Sequence, residues 1–551
     1  MWLPSFFSDE IQKRKEQIHT MPTKTQRNIV IGVIILFAML FLVDRYYWAQ
    51  LVPWREDAST NIWLGYTRGI SHIPVGLISS RKLPNPNGML LLGVFLSALP
   101  NLLTVSFFLG ATQISLILLV GWKACCKNWQ YFLLAAIPAL SSVTLRSISV
   151  EFWNQYTITL LNIFFLFWAI RYLQSTSLWN LPPIAILILL APSLYLAGIV
   201  NAIAMTILTI GMIVYKRPNL NSFWIVSMVI LLLGILSIFL TWLPYFHSVT
   251  LEQIIQNSRI KADPVSSFPL AFKQGNLSIL SSPTQILLQM TDHVYLLQVI
   301  FAFTTFLYML WVAFSQRRSP KNSGLHTNVS LVQVVALSGS FIVLSYAFSA
   351  WLGGADWLHD QRPDQTVQFL PMSLLFIFLL PISITRNGKV EELIKSISNL
   401  LLGVFVTVNL LCGFMIIRDH LQYRGSILTE ADVPLVNKMQ VVDFIASDWK
   451  NHSSSNVIPV DYDLEGRWGW IPKFGLKLEK WYPAPMTQGR SFDYELLRRY
   501  GLTNQQEGIQ LRTFGNGRYL VTYAFEAPPQ IEDGKITNYI FGRLRVSVVD
   551  K

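Results

Sequence analysis

Residues 28–58 read NIVIGVIILFAMLFLVDRYYWAQLVPWREDA, and how this stretch is read decides the fold. Ile29 to Val43 is an unbroken apolar run, approaching the roughly 20 residues a helix needs to cross a bilayer. It ends in Asp44-Arg45-Tyr46-Tyr47-Trp48, an aromatic cluster of the kind found at membrane interfaces. No small-residue cleavage site accompanies it, so the expectation is a first spanning helix and not a removable signal peptide. About a dozen residues beyond Val43 stand two adjacent carboxylates, Glu56 and Asp57.

Composition extends this reading to the whole chain. Of 551 residues, 52% are hydrophobic and 13% charged, the net charge is +12, and the mean hydropathy is +0.42. Soluble domains carry about 25% charged residues. The deficit is uneven: 33 of the 74 charged residues fall in 418–551, about a quarter of that stretch, against about a tenth of 1–417. This predicts a basic leader (1–27), a membrane body (28–417) and a soluble domain (418–551). The Lys and Arg residues sit in short loops between apolar runs, a pattern of topology and headgroup contact and not of nucleic-acid binding. Three cysteines, Cys125, Cys126 and Cys412, make neither a disulfide framework nor a metal motif.

Eleven apolar runs are expected to span, over 28–43, 103–121, 130–146, 152–172, 182–197, 199–215, 222–244, 296–315, 330–350, 367–384 and 395–417. The leader carries Lys13, Arg14, Lys15, Lys24 and Arg27, and every second turn after it is also basic. The expectation is a cytoplasmic N-terminus and an extracytoplasmic C-terminal domain. Of the twelve carboxylates in 28–417, this topology puts only Glu391 and Glu392 inside. Acidic residues carry little topogenic weight, so their one-sidedness marks an acidic working surface outside. Two outer loops are long, 44–102 and 245–295. The first holds a short apolar piece, about Met89–Ala98, read as an interfacial helix; counting it as a span would invert the loops that follow. In the tail, Pro434–Trp449 has helical spacing, while 456–462, 518–525 and 544–549 read as strands of a small α/β or α+β domain.

Four constellations at the outer face can carry chemistry. Glu56-Asp57 near the bilayer surface suits a general base; a solvated pair neutralised by Arg55 and Arg68 is the plainer alternative. Arg146 is followed five residues on by Glu151, then by Asn154 and Gln155, and Glu151 is expected to open a helix, where the dipole favours an anion. Asn85 and Asn87 lie in a Pro-Asn-Pro-Asn-Gly turn, an ordinary turn by default, whose amides, with Arg81 and Lys82, can also meet a headgroup or sugar. His359 and Arg362 enter the tenth expected span and suit an anionic phosphate, or an interfacial ion-pair cluster. His293 beside Asp292 is too small a set for a metal site. There is no phosphate-binding loop, nucleophile elbow or zincin helix.

Taken in order, these residues resemble the GT-C type of membrane glycosyltransferase, the group that includes protein O-mannosyltransferases and lipid A aminoarabinose transferases. Glu56-Asp57-Ala58 is similar to that family's Asp-Glu-Ala in the first outer loop, with the acids inverted. Residues 84–89 stand where the family has a His-Pro-Pro-like segment, here without the His. Trp122-Lys123 ends a span, Arg146 and Glu151 match an Arg and Asp five apart, and Arg362 through Pro371 resembles the late Arg-rich approach to a span, without its Tyr. The likeness is clearest over 28–172.

The resemblance implies an inverting enzyme with a polyprenyl- or dolichyl-phosphate sugar as donor and a lipid, glycan or protein as acceptor. Asp57 or Glu56 would be the base. Arg146 and Arg362, then Arg81, Lys82 and His359, would meet the donor phosphate, and Glu151 would orient the acceptor or a basic partner. Some relatives use a divalent metal and others none, so no cofactor is assigned. Two other readings remain: a transporter or flippase of a lipid-linked substrate, and a non-catalytic membrane scaffold. Acid-free spans weigh against the first.

Overall fold

A computed structural model describes residues 24–52, 54, 56–69, 85–124, 136–175, 177–218, 220–250, 282–317, 329–351, 370–383, 389–421, 433–464, 489–504, 518–524, 528 and 535–550. The chain forms two compact units, Met1–Asp44 and Arg45–Lys551, and helix α1 (Lys24–Leu51) begins in the first and ends in the second. In the first unit it exposes Ile35, Leu36, Met39, Leu40 and Val43, a surface suited to lipid and not to water.

The second unit continues with α2 (Glu56–Arg68), α3 (Gly88–Leu96), α4 (Leu102–Ala124), α5 (Val143–Ile148), α6 (Asn154–Gln174), α7 (Leu181–Leu194), α8 (Ile199–Lys216), α9 (Leu220–Ser237), α10 (Leu243–Ser248), α11 (Ser282–Arg317), α12 (Val329–Trp351), α13 (Leu370–Leu379) and α14 (Lys389–Leu421). Among the described residues, seven helical stretches are long and apolar enough to cross a membrane: Ile31–Leu51, Leu102–Trp122, Tyr156–Gln174, Ile199–Lys216, Phe223–His247, Gln289–Met309 and Lys389–Arg418. Leu178–Leu194, Val332–Ser345 and Leu370–Ser383 are shorter apolar helices. These are the dimensions of a helical membrane protein. The expected run 130–146 lies partly outside the described residues; what is described is a helix over 136–141, a break at Ser142, and α5. The continuous apolar stretch 182–215 is two helices, because Tyr195 is extended and a 3-10 turn, Leu196–Gly198, separates α7 from α8.

Two side-chain hydrogen bonds inside the body join helices. Asn162 Nδ2 donates to Asn201 Oδ1 at 3.3 Å, joining α6 to α8, and Gln298 Nε2 donates to the Ile377 carbonyl at 3.0 Å, joining α11 to α13. Such bonds matter in an apolar surrounding, where an unmet amide is costly.

The C-terminal part comprises α15 (Leu435–His452), β1 (Val457–Ile458), β2 (Val460–Asp463), α16 (Gly489–Tyr500), β3 (Thr503–Asn504), β4 (Tyr519–Tyr523), β5 (Lys535–Phe541) and β6 (Leu544–Asp550). Its larger sheet runs β2-β4-β6-β5, with β2 parallel to β4 and the other pairs antiparallel. Val441, Val442, Ile445, Tyr519, Val521, Val546 and Val548 form its core. The three expected strand segments are present. Edge strand β5 was not anticipated; its alternation is weak and most of it is exposed.

Candidate functional site

The acidic pair lies on a helix, not in an irregular loop. Glu56 and Asp57 open the first turn of α2, where the unpaired amides of a helix start favour negative charge; their side chains lie outside the described residues. Immediately before them, Trp54 has a left-handed backbone, φ 46°, a conformation that is strained for a bulky residue. Three contacts fix it. The indole Nε1 donates to Ser106 Oγ on α4 at 2.9 Å, and the carbonyl accepts from Ser59 Oγ at 2.9 Å and from Lys438 Nζ of α15 at 3.3 Å.

The ring of Trp54 packs on Phe152, with centroids 6.2 Å apart. Trp54, Ala58, Val143, Val150 and Phe152 share one buried cluster with Met89, Leu102, Cys412, Leu435 and Tyr494. The start of α2, α5 and the turn after it, α3, α4, the end of α14 and the C-terminal part therefore meet in a single core.

Arg146 is almost wholly buried, 3% exposed. Its guanidinium lies 5.6 Å over the Trp48 ring, and Nη1 donates to the Asn409 carbonyl at 3.2 Å. Asn409 Oδ1 accepts from Val143 N at 2.9 Å, so one residue of α14 receives both the start and the arginine of α5. One turn on, Gly413 leaves the space that the guanidinium fills, since a Cβ there would sit 2.1 Å from Nη1. Asn409 and Gly413 contribute to this setting and had not been singled out; nothing local in the sequence of α14 connects them to a residue more than 260 positions earlier.

Other expected roles change. Glu151 does not open a helix: α6 begins at Asn154 after Trp153 at its N-cap, and Glu151 is half-buried in the preceding turn. Asn154 and Gln155 stand in the first turn of α6, with side chains outside the described residues. Asn87 occupies the N-cap position of α3 without capping it; its Nδ2 donates to the Leu240 carbonyl at 2.9 Å. Pro244 has no N–H to return to that carbonyl, and a π-helical turn, Ile238–Trp242, has formed there. Asn85 is buried as well. Both asparagines thus lie inside the fold. Arg81, Lys82, His359 and Arg362 fall outside the described residues. Among the described residues, no group of three His, Cys, Asp or Glu side chains is assembled for a metal.

The C-terminal domain is seated on α2 through α16. Tyr494 packs edge-on against Tyr66 at 5.8 Å, Arg498 lies over Tyr66 at 5.4 Å and Arg490 over Trp63 at 5.7 Å. Arg498 Nη2 donates to the Ala98 carbonyl at 3.3 Å, and Leu435 N donates to the Val52 carbonyl at 3.0 Å. Glu495, 1% exposed, accepts from Leu102 N at the start of α4, serving as a helix cap supplied from a distant part of the same unit. The only local sign of α16 is a charged run with Glu495 and Arg499 four apart.

Burial pushes the Glu495 carboxyl from its ordinary 4.5 up to about 7, opposed by the Leu102 N–H and by Arg499. The folded state then holds a proton more tightly than the unfolded chain, and stability is lost as pH rises through this interval. Glu495→Gln keeps an acceptor for Leu102 and removes the titration. Melting temperatures of the full chain between pH about 5 and about 8 should fall less steeply in the variant than in wild type; parallel slopes would refute this role for Glu495. No family model matches the chain, and no curated protein matches it.

Proposed function

We propose that the chain is an inverting membrane glycosyltransferase of the GT-C type, taking one sugar from a polyprenyl- or dolichyl-phosphate donor. The observation that carries this reading is the Trp54–Phe152 contact, because it sets the helix start bearing Glu56 and Asp57 beside the Arg146–Glu151 turn. An acidic pair on one element and an arginine on the element packed against it supply the two kinds of group that transfer from a lipid phosphate needs. In the reaction, the acceptor hydroxyl oxygen attacks the anomeric carbon while Asp57, or Glu56, takes its proton. The bond from that carbon to the phosphate oxygen breaks, and the electron pair leaves with the lipid phosphate. Basic side chains stabilise the charge that develops there. Arg146 heads that set, with Arg362, His359, Arg81 and Lys82 completing it, and Glu151 orients the acceptor or a basic neighbour.

The proposal includes eleven spans, a cytoplasmic N-terminus, and an active site and C-terminal domain outside the plasma membrane. The acceptor is a lipid, glycan or protein. Purified chain in nanodiscs, offered a panel of undecaprenyl-phosphate-linked monosaccharides with membrane-extract acceptors, should release undecaprenyl phosphate and label an acceptor. Movement of the lipid across vesicles with no glycosyl transfer would replace this reading with a flippase.

A further inference from the structure

We infer that the C-terminal domain is a working part of the acidic-pair site, with Lys438 as a positioning residue that fixes the start of α2 through the Trp54 carbonyl. The inference rests on the reading of Glu56 and Asp57 as the reacting carboxylates. Its physical core is independent of that reading.

Lys438 is 1% exposed. A lysine is rarely buried to that degree, because removing an ammonium from water is costly unless several acceptors replace the solvent. Here Nζ donates to Ser491 Oγ at 3.0 Å and to the Trp54 carbonyl at 3.3 Å, and lies 5.6 Å over the Phe492 ring. Ser491 and Phe492 belong to α16, and Lys438 to α15. One ammonium therefore ties α15 and α16 to the residue two positions before Glu56.

The residue it reaches is Trp54, a non-glycine residue with φ 46°. A bulky side chain in that region costs about 1–3 kcal/mol and persists only where the surroundings over-determine it. Trp54 is over-determined by Ser106, which accepts from its indole N–H, and by Ser59 and Lys438 at its carbonyl. Ser59 lies on α2 itself and so closes a local loop. Ser106 lies on α4. Lys438 alone among these three comes from the C-terminal domain. Strain of this kind sets the angle at which the chain turns into α2, and α2 carries both carboxylates in its first turn. A base displaced by about 1 Å can lose about 100-fold in rate without loss of substrate binding.

The test compares Lys438→Met, Lys438→Gln and Ser491→Ala with wild type in full-length chain in nanodiscs. Lys438→Met removes a desolvated ammonium, and the Trp54 carbonyl keeps the Ser59 hydroxyl as a donor, so the variant is expected to purify as a monodisperse protein. Amide hydrogen exchange over residues 54–68 should accelerate about tenfold in Lys438→Met, with residues 102–122 and 389–418 unchanged. Lys438→Gln, which retains an N–H donor, should restore much of the protection, and Ser491→Ala should move exchange in the same direction by less. With whichever undecaprenyl-phosphate sugar the panel identifies, kcat should fall at least about tenfold and KM stay within about twofold.

Wild-type exchange over 54–68 in both Lys438→Met and Ser491→Ala overturns the inference. If Lys438→Met fails to fold, Ser491→Ala decides by the same readout. If no donor reacts, the transfer reading fails while the exchange result still judges the positioning role of Lys438. If transfer proceeds with unchanged kcat in Lys438→Met, that role fails and the transfer reading stands.

Discussion

Asp57→Asn is expected to reduce sugar transfer from a polyprenyl-phosphate donor by about 10²–10⁴-fold, the contribution of a positioned general base. The substitution changes little else. Asn has nearly the shape of Asp, and a polar side chain in the first turn of α2 still suits the exposed amides of a helix start. Expression, monodispersity and melting temperature should therefore stay near wild type, and the loss should appear in kcat. The amide cannot accept the acceptor hydroxyl's proton at neutral pH, so raising the acceptor concentration should not rescue it. Glu56→Gln separates the two carboxylates: the neighbour that only orients or neutralises should cost about tenfold or less. If Glu56→Gln shows the larger loss, the base is Glu56. Full activity in both variants would remove the acidic pair from the chemistry altogether.

The membrane body was legible in the sequence because lipid imposes a length on each element. Runs such as 103–121, 199–215 and 395–417 reappear as Leu102–Trp122, Ile199–Lys216 and Lys389–Arg418, because backbone groups in hydrocarbon must be satisfied within the helix. Elements governed by tertiary contact were not legible. Helix α2 reads EDASTNIWLGYTR, and α16 reads GRSFDYELLRRY; each is polar enough to pass for a loop. Each becomes a helix with a purpose when Tyr66, Trp63, Tyr494 and the arginines of α16 meet between them. By contrast the break between α7 and α8 was legible: the expected spans 182–197 and 199–215 part at the 3-10 turn, Leu196–Gly198, that separates the two helices.

Part of the site was legible for a different reason. Arg146 stands out because an arginine among apolar residues is conspicuous, and Glu56-Asp57 because two acids beside a membrane are. What surrounds them was not legible: Asn409 and Gly413 on α14, and Lys438 and Glu495 in the C-terminal domain, reach the site from more than 250 residues away in sequence. Asn87 is a similar case. It stands in the expected turn, and its amide meets the Leu240 carbonyl, which lies 153 residues later in the chain and to which Pro244 has no N–H to return.

Gly93→Ala should be among the most damaging single-methyl changes in the second unit. Helices α2 and α3 cross at Gly65 and Gly93, and each glycine meets backbone. A Cβ on Gly93 would lie 2.5 Å from the Asn61 carbonyl oxygen, and one on Gly65 would lie 2.6 Å from Gly93 C and Val94 N. No side chain is available to swing aside, so the helices must separate, and α2 carries both the acidic pair and the seat of α16. Overpacking of this kind costs about 1–3 kcal/mol, occasionally more, which should appear as a lower melting temperature. The displacement should also reduce transfer, by up to about 100-fold if the carboxylates move by about 1 Å. Adding Gly65→Ala to Gly93→Ala should cost less than the sum of the two, because the first methyl already opens the crossing. Gly211→Ala and Gly403→Ala supply the control. A Cβ at either position meets nothing within 4 Å, so neither should lower the melting temperature, and alanine's better helix propensity can raise it, by at most about 1 kcal/mol. Equal effects at Gly93 and Gly211 would mean that the crossing does not set the position of α2.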